Sequence, residues 1–212
     1  MRRQKKLNDL SDRVCVIAPQ KRTVSPQDFA DLVVALRDQI RITIYYRELG
    51  GSGGASHTVS PYRLILYRNN WYLAGWCHQD HSLKVLAAER IKVTDMTATP
   101  CRPIHHDELS KAVEAAYGID LGEPSDHAVL RFSPKAAKRV ALEEWHRDQT
   151  QRHHADGSLE LTVPYRQTRE LKMDVLRFGS EVEVVAPRQL RQEVAQDHAK
   201  AAQQYAADLQ PA

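Results

Sequence analysis

Apolar and polar positions change their period several times along the chain, and each change marks an element. From residue 25 the apolar residues Phe29, Leu32, Val33, Leu36 and Ile40 fall at helical spacing. Ser25-Pro26-Gln27-Asp28 supplies the helix start: Ser as N-cap, Pro at the first helical position and an acid in the first turn. At residue 41 the period drops to two. Arg41 to Arg47 is rich in β-branched and aromatic residues and predicts a strand, with Ile42, Ile44 and Tyr46 on one face and Arg41, Thr43, Tyr45 and Arg47 on the other. His57–Tyr67, Trp71–Cys77, Leu83–Ala87 and Ile91–Met96 predict four more strands. Pro61 marks a bend or an edge, Arg68-Asn69-Asn70 a turn, and Gly50–Gly54 a flexible tip. Short strands joined by tight turns predict a small barrel or a strongly bent sheet.

Asp107 to Tyr117 has helical character and stops at Gly118. The Gly- and Pro-containing stretch 118–126 is the expected domain boundary. Beyond it the chain predicts a strand at His127–Phe132, a helix from Ser133-Pro134 to about Trp145, and strands over 149–155 and 158–164 joined at Asp156-Gly157. A helix capped by Thr168 follows, carrying Leu171, Val175 and Leu176, then a strand at Glu181–Val185 and a final helix marked by Leu190, Val194, Ala201, Tyr205 and Leu209. The order β-α-β-β-α-β plus a terminal helix is that of a ferredoxin-like fold.

Composition narrows the classes. The chain has 212 residues and is 42% hydrophobic, enough for one domain or two small ones. No apolar run approaches the roughly 18 residues that would span a bilayer. Residues 1–24 show no clear period, are basic, and lack the apolar stretch of a signal peptide. Three widely spaced cysteines (Cys15, Cys77, Cys101) argue against a disulfide framework and for a reducing, cytoplasmic setting. With 30 Lys+Arg against 27 Asp+Glu the formal charge is only +3, so any anion site must be a local patch. By segment the net charge is +4 over 1–37, +2 over 38–98, −3 over 99–124 and zero over 125–212.

Val59-Ser60-Pro61-Tyr62-Arg63-Leu64, then Asn70-Trp71-Tyr72-Leu73-Ala74-Gly75-Trp76-Cys77, then Leu83 through Ile91, resemble a WYL domain, with Tyr46-Arg47 where that family has its first-strand Tyr-Arg. Arg131-Phe132-Ser133-Pro134, Asp156-Gly157-Ser158-Leu159, Arg169-Glu170-Leu171, Phe178 through Val184 and Pro187 through Arg191 resemble the WCX extension that often follows it. Together the similarity covers roughly residues 25–209, and the ordered series is far more specific than one tripeptide. It implies an α+β protein: an Sm-like five-stranded small β-barrel followed by a ferredoxin-like βαββαβ domain. The expected division is a basic lead-in and linker helix over 1–40, the WYL barrel with a trailing helix over 41–124, and the WCX domain over 125–212. Family members are mostly bacterial transcriptional regulators in which an N-terminal winged helix-turn-helix binds DNA and the WYL barrel senses a ligand. The resemblance therefore implies a homodimeric sensing module that binds single-stranded DNA or a nucleotide effector and reaches promoter DNA only through a helix-turn-helix. Two departures stand out: there is no room for that helix-turn-helix before residue 25, and Asp174 stands where the WCX helix usually carries a Trp.

Single-stranded nucleic acid needs cations for phosphates and flat rings for bases. The barrel segment carries Arg47, Arg63, Lys84 and Arg90, with His57 and His78 in support, among rings that include Tyr46, Tyr62, Trp71, Tyr72 and Trp76. Arg suits phosphate because its planar fork binds two oxygens at once and stacks on bases. Arg47 and Arg63 are expected to point away from the core, as a shared phosphate site requires, and Ser60 and Tyr62 add neutral hydrogen bonds. The candidate set is Tyr46, Arg47, His57, Ser60, Tyr62, Arg63, Trp71, His78, Lys84 and Arg90. Trp71 shares a strand face with Leu73, which favours the core over a stacking platform.

Other chemistries have weaker support. His78-Gln79-Asp80-His81 has zinc-like spacing, but no second Cys/His pair at ligand spacing completes it, so no metal, cofactor or catalytic residue is expected. Cys77 ends an apolar strand and reads as a buried thiol. No phosphate loop, nucleotide-binding glycine fingerprint, nucleophile elbow or deaminase signature occurs, so no enzyme is expected. The alternative reading is a free-standing accessory protein that binds nucleic acid and modulates a partner nuclease or other enzyme.

Overall fold

A computed structural model describes residues 20–50, 53–114, 117–119 and 121–206. The chain is α+β and divides into two compact units, Met1–Arg102 and Pro103–Ala212. The expected basic lead-in before residue 20 and the end of the last helix at Leu209 lie outside the described residues.

Among the described residues, the first helix of the first unit is α1, Pro26–Asp38. Its start is built as the sequence predicts: the Ser25 hydroxyl accepts the Asp28 N–H, and Pro26 occupies a position whose missing N–H costs nothing. It ends at Gln39, whose left-handed conformation (φ 52°) returns its N–H to the Ala35 carbonyl. Five strands follow: β1 (Ile40–Arg47), β2 (Gly54–Tyr67), β3 (Asn70–Cys77), β4 (Ser82–Ala87) and, after a 3-10 turn at Ala88–Arg90, β5 (Ile91–Pro100). All pairs are antiparallel, in the order β4-β3-β2-β1-β5. Leu32 and Ala35 of α1 close a core with Ile42, Ile44, Val59, Leu73, Leu86, Ala88 and Ile91.

The expected barrel is not closed. β4 and β5 stand at the two ends of the strand order, so among the described residues the sheet is bent but open. Bulges in the β1–β5 ladder and at Pro61/Arg63 in the β2–β3 ladder bend it. Helix α1 packs against β5. There the Asp28 carboxylate accepts the Val93 N–H at 2.9 Å, so a helix side chain satisfies a strand donor that a closing strand would otherwise take.

The second unit begins with α2 (His106–Glu114) and holds a sheet of β6 (Asp126–Phe132), β7 (Thr150–His153), β8 (Leu159–Tyr165) and β9 (Val182–Ala186), ordered β7-β8-β6-β9. Helices α3 (Pro134–Val140) and α4 (Thr168–Arg177) form the β6–β7 and β8–β9 connections, and α5 (Arg188–Gln204) follows β9. Alternate residues of β6 and β8, among them Leu130, Phe132, Leu159, Leu161 and Val163, are fully buried with Val140, Leu171, Val175 and Leu190 from the helices.

Two local expectations need correction. The helix from Ser133 stops at Val140, not near Trp145, because Leu142 and Glu143 fall into tighter three-residue bonds. The Gln149 side chain then takes over, accepting the Trp145 and His146 N–H groups at 2.6 and 3.1 Å and donating to the Glu143 carbonyl at 2.9 Å. Thr168 is the first residue of α4, whose N-cap Gln167 makes no side-chain capping bond. No helix of the described residues is long and apolar enough to cross a membrane.

The Asp28–Val93 contact yields a stability prediction. Asp28→Ala leaves a half-buried strand donor unsatisfied and should destabilise the first unit by about 1–3 kcal/mol in urea unfolding. Asp28→Asn keeps an acceptor and should cost less than half as much.

Candidate ligand-binding site

The candidate residues fall into three groups, and the bulge in β2 separates them. Pro61 pairs with Gly75 and Arg63 with Ala74, so Tyr62 is the extra residue. The strands come so close here that a Cβ on Gly75 would lie 2.7 Å from Val59 Cγ1 and 2.9 Å from the Ser60 carbonyl oxygen.

The first group gathers beside this bulge. Ser60 is completely buried, and its Oγ lies 2.9 Å from His78 Nε2 and accepts the Arg102 N–H at 2.9 Å. The Tyr62 hydroxyl donates to the Arg102 carbonyl at 2.8 Å, so both backbone polar groups of Arg102 are held by β2. Fixed in this way, the exposed Arg102 lays its guanidinium 3.8 Å from the centre of the Trp76 ring. Arg41 on β1 donates to the Pro100 carbonyl at 2.9 Å. Burial, and then the charges of Arg41, Arg102 and His81, hold the His78 imidazole below its ordinary value. The Cys101 thiol is pushed up by burial, while Ser60 and Arg41 pull it down. Two guanidinium groups, an imidazole kept neutral, hydroxyls and an indole ring therefore share one electropositive corner, the donor set for a phosphate next to a flat ring.

The second group holds Tyr46, Arg47 and Arg90. The Tyr46 hydroxyl accepts the Ala87 N–H at 3.1 Å, and the Arg90 guanidinium lies 4.3 Å from its ring centre. Arg90 Nε donates to the Arg47 carbonyl at 2.6 Å, and the Arg47 guanidinium donates to the Glu89 carbonyl. The Glu89 carboxylate meets Arg22 at 2.8 Å, and Arg22 also bonds the Tyr72 hydroxyl and lies 5.2 Å from that ring's centre. These cations tie the 3-10 turn to β1 and to the lead-in.

The third group holds His57 and Lys84. Cys77 Sγ is 3.4 Å from His57 Nδ1 and 3.0 Å from Asp80 Oδ2, and the Lys84 ammonium pairs with the same carboxylate oxygen. Burial and the neighbouring Asp80 push the Cys77 thiol up, while bonds from Cys77 and Lys84 hold Asp80 below its ordinary value.

Trp71 joins none of these groups: it packs on the first core, 5.2 Å from the Phe29 ring. Arg63 sits just past the bulge, nine residues along β2 from Gly54, the partner of Arg47. The two arginines expected to share a phosphate therefore stand on different strands, nine residues apart in the β2 register. Three residues of the first group were outside the candidate set. Arg41 and Trp76 were visible as a charge and a ring on predicted strands, whereas Arg102 lies in the acidic segment, where only the return of the chain after β5 brings it to Ser60.

The comparisons with known proteins agree on the domain content. Residues 27–96 match the family model of the WYL domain and residues 124–202 that of the WCX domain. Protein PafC from two strains of Mycobacterium tuberculosis is 28% identical over 181 residues, covering 85% of this chain and 55% of that protein. The chain thus spans about half the length of the curated relatives it matches. Among solved structures, a CRISPR Cas-related protein matches 86% of this chain and 52% of its own at 12% identity and a TM-score of 0.51, a likeness of fold. Proteasome accessory factor B/C (PafBC) of Arthrobacter aurescens matches 88% of this chain and 28% of its own at 21% identity and a TM-score of 0.37.

The close approach at Gly75 makes that position sensitive. Gly75→Ala must push β2 away from β3, so it should cost about 1–3 kcal/mol in urea unfolding. It should also loosen the Arg102–Trp76 stack, read as a change in tryptophan fluorescence under native conditions.

Proposed function

We propose that this chain, which belongs to the WYL–WCX family, is the ligand-sensing part of a transcriptional regulator and binds single-stranded nucleic acid or a nucleotide effector on its WYL domain. The observation that carries this reading is the corner of Arg41, His78 and Arg102 around the Trp76 ring, with Ser60 and Tyr62 fixing the Arg102 backbone. A phosphate there would meet two guanidinium groups, and a base could stack on a guanidinium plane or on Trp76. Ligand charge would also stabilise a protonated His78, since the cations that now oppose its proton would be neutralised.

The finer fold assignments belong to the same reading. The strand order of the first sheet supports a relation to the Sm fold, without barrel closure. The order β7-β8-β6-β9 with α3 and α4 as connections supports a ferredoxin-like WCX domain. In this reading promoter DNA is bound by a helix-turn-helix of the regulator, not by either of these two domains, and the effector controls it through a homodimer.

Fluorescence anisotropy with short labelled single-stranded DNA tests the site. Affinity should fall as salt rises, and the Arg41→Ala, Arg102→Ala double variant should bind at least tenfold more weakly with a shallower salt dependence. The Arg47→Ala, Arg63→Ala pair should lose less, because Arg47 stands with Arg90 and the 3-10 turn, in a different group from the His78 corner. Unchanged, salt-insensitive binding by the Arg41/Arg102 variant would overturn the assignment.

A further inference from the structure

The third group of residues has a geometry that nucleic-acid binding does not account for. His57, Cys77 and Asp80 each offer one ligand atom, and these three atoms all lie within 4.8 Å of one another. A tetrahedral site with metal–sulfur, metal–nitrogen and metal–oxygen bonds of about 2.3, 2.0 and 2.0 Å separates its ligand atoms by roughly 3.3–3.5 Å. The observed sulfur–nitrogen and sulfur–oxygen separations, 3.4 and 3.0 Å, need shifts of only a few tenths of an ångström to match.

The backbone holds this arrangement firmly. Cys77 pairs with Val59 on one side and Ser82 on the other. The turn that carries Asp80 is pinned to β2 by three bonds: His78 N–H to the Thr58 carbonyl at 2.9 Å, Thr58 N–H to Gln79 Oε1 at 2.9 Å, and Gln79 Nε2 to Thr58 Oγ1 at 3.4 Å. Cys77 is buried, His57 half-buried and Asp80 exposed, which leaves a fourth position open towards solvent.

We infer that His57, Cys77 and Asp80 bind a divalent transition ion of the zinc class, with Lys84 as the cation it displaces. The donor set suits a borderline ion: one thiolate, one imidazole nitrogen and one carboxylate oxygen, with solvent as the fourth ligand. Charge balances in both states. Without the ion, the Lys84 ammonium neutralises the Asp80 carboxylate and Cys77 keeps its proton. On binding, the Cys77 proton passes to solvent, and thiolate plus carboxylate neutralise the two positive charges while Lys84 swings away. The spacing His78-Gln79-Asp80-His81 suggested zinc without a second pair. Here Asp80 acts with Cys77 and with His57 from the neighbouring strand, and the flanking histidines are not required.

Cobalt(II) titration of the full chain tests the site, because a cobalt–thiolate bond gives a charge-transfer absorption that nitrogen and oxygen ligands do not. The unaltered protein should develop this absorption at one ion per chain, and zinc should abolish it by competition. Cys77→Ser should remove the absorption, and His57→Ala should weaken binding at least tenfold. Lys84→Gln removes only the competing ammonium, so it should tighten binding roughly tenfold. This half-exposed residue lies outside the core, so a null result with it cannot be ascribed to unfolding. The inference is overturned if neither the unaltered chain nor Lys84→Gln shows the absorption, or if the absorption survives Cys77→Ser.

Discussion

A hydroxyl with no access to water must find its partners inside the protein, and the Ser60 hydroxyl organises the WYL domain around that need. It has two partners from segments far away in sequence: the His78 ring just past β3 and the Arg102 N–H beyond β5. The first ties the β3–β4 turn to β2. The second, with the Tyr62 hydroxyl and the Cys101 N–H bond to the Gln39 carbonyl, fixes the chain after β5. Leaving such a group unsatisfied costs on the order of 1–3 kcal/mol, comparable to a core methyl deletion, so three segments are coupled through one atom. The Arg102 stack on Trp76 depends on that coupling, because only a held backbone can present a guanidinium to an indole without paying the full entropy of a long side chain.

The cations of this domain divide by the groups that surround them. Arg22, Arg47 and Arg90 answer groups of the protein itself: the Glu89 carboxylate, the Glu89 carbonyl and the Arg47 carbonyl. Arg41 makes a like bond to the Pro100 carbonyl, but it and Arg102 also face the neutral His78, which their charge helps to keep neutral. That difference, not the number of basic residues, makes one corner a candidate for an anion. The WCX domain shows the same economy at Asp174. The buried Asp174 carboxylate takes the Tyr117 hydroxyl and Arg177, the latter at 3.2 Å. Aromatic bulk comes instead from elsewhere in the chain: Trp145 lies 6.0, 5.7 and 5.8 Å from the rings of Tyr117, Phe132 and Phe178.

Features that depend on neighbouring residues were legible in the sequence. Ser25-Pro26 and Ser133-Pro134 start helices because a cap needs only residues two or three positions away. Asp156-Gly157 turns the β7–β8 hairpin for the same reason, with Gly157 at φ 84°. Features that depend on competition between distant partners were not. Gln149 holds the Glu143–His146 backbone past the end of α3, and Asp28 caps the β5 donor that would have served barrel closure. The site followed the same rule. Ser60 and Tyr62 were readable as polar residues on a predicted strand and His78 as the residue just after one, but Arg102 was not, since no periodic pattern connects residue 60 to residue 102.

Cys77 and His78 show how one strand end can serve two opposite electrostatic environments. Successive side chains of a strand leave on opposite faces, so the thiol and the imidazole diverge although they are adjacent in the chain. On the Cys77 side stand His57 and the Asp80 carboxylate, balanced by one ammonium. On the His78 side stand Ser60, Arg41 and Arg102, with no carboxylate among the groups that set the imidazole's pKa. A face that gathers anionic and soft ligands is suited to a cation, and a face that gathers guanidinium groups is suited to an anion. Both faces share the Thr58–His78 backbone bond at the open end of the hairpin. A change in that bond would therefore move the two sites together, which makes the β2–β3 hairpin, rather than any single side chain, the unit on which ligand chemistry in this domain depends.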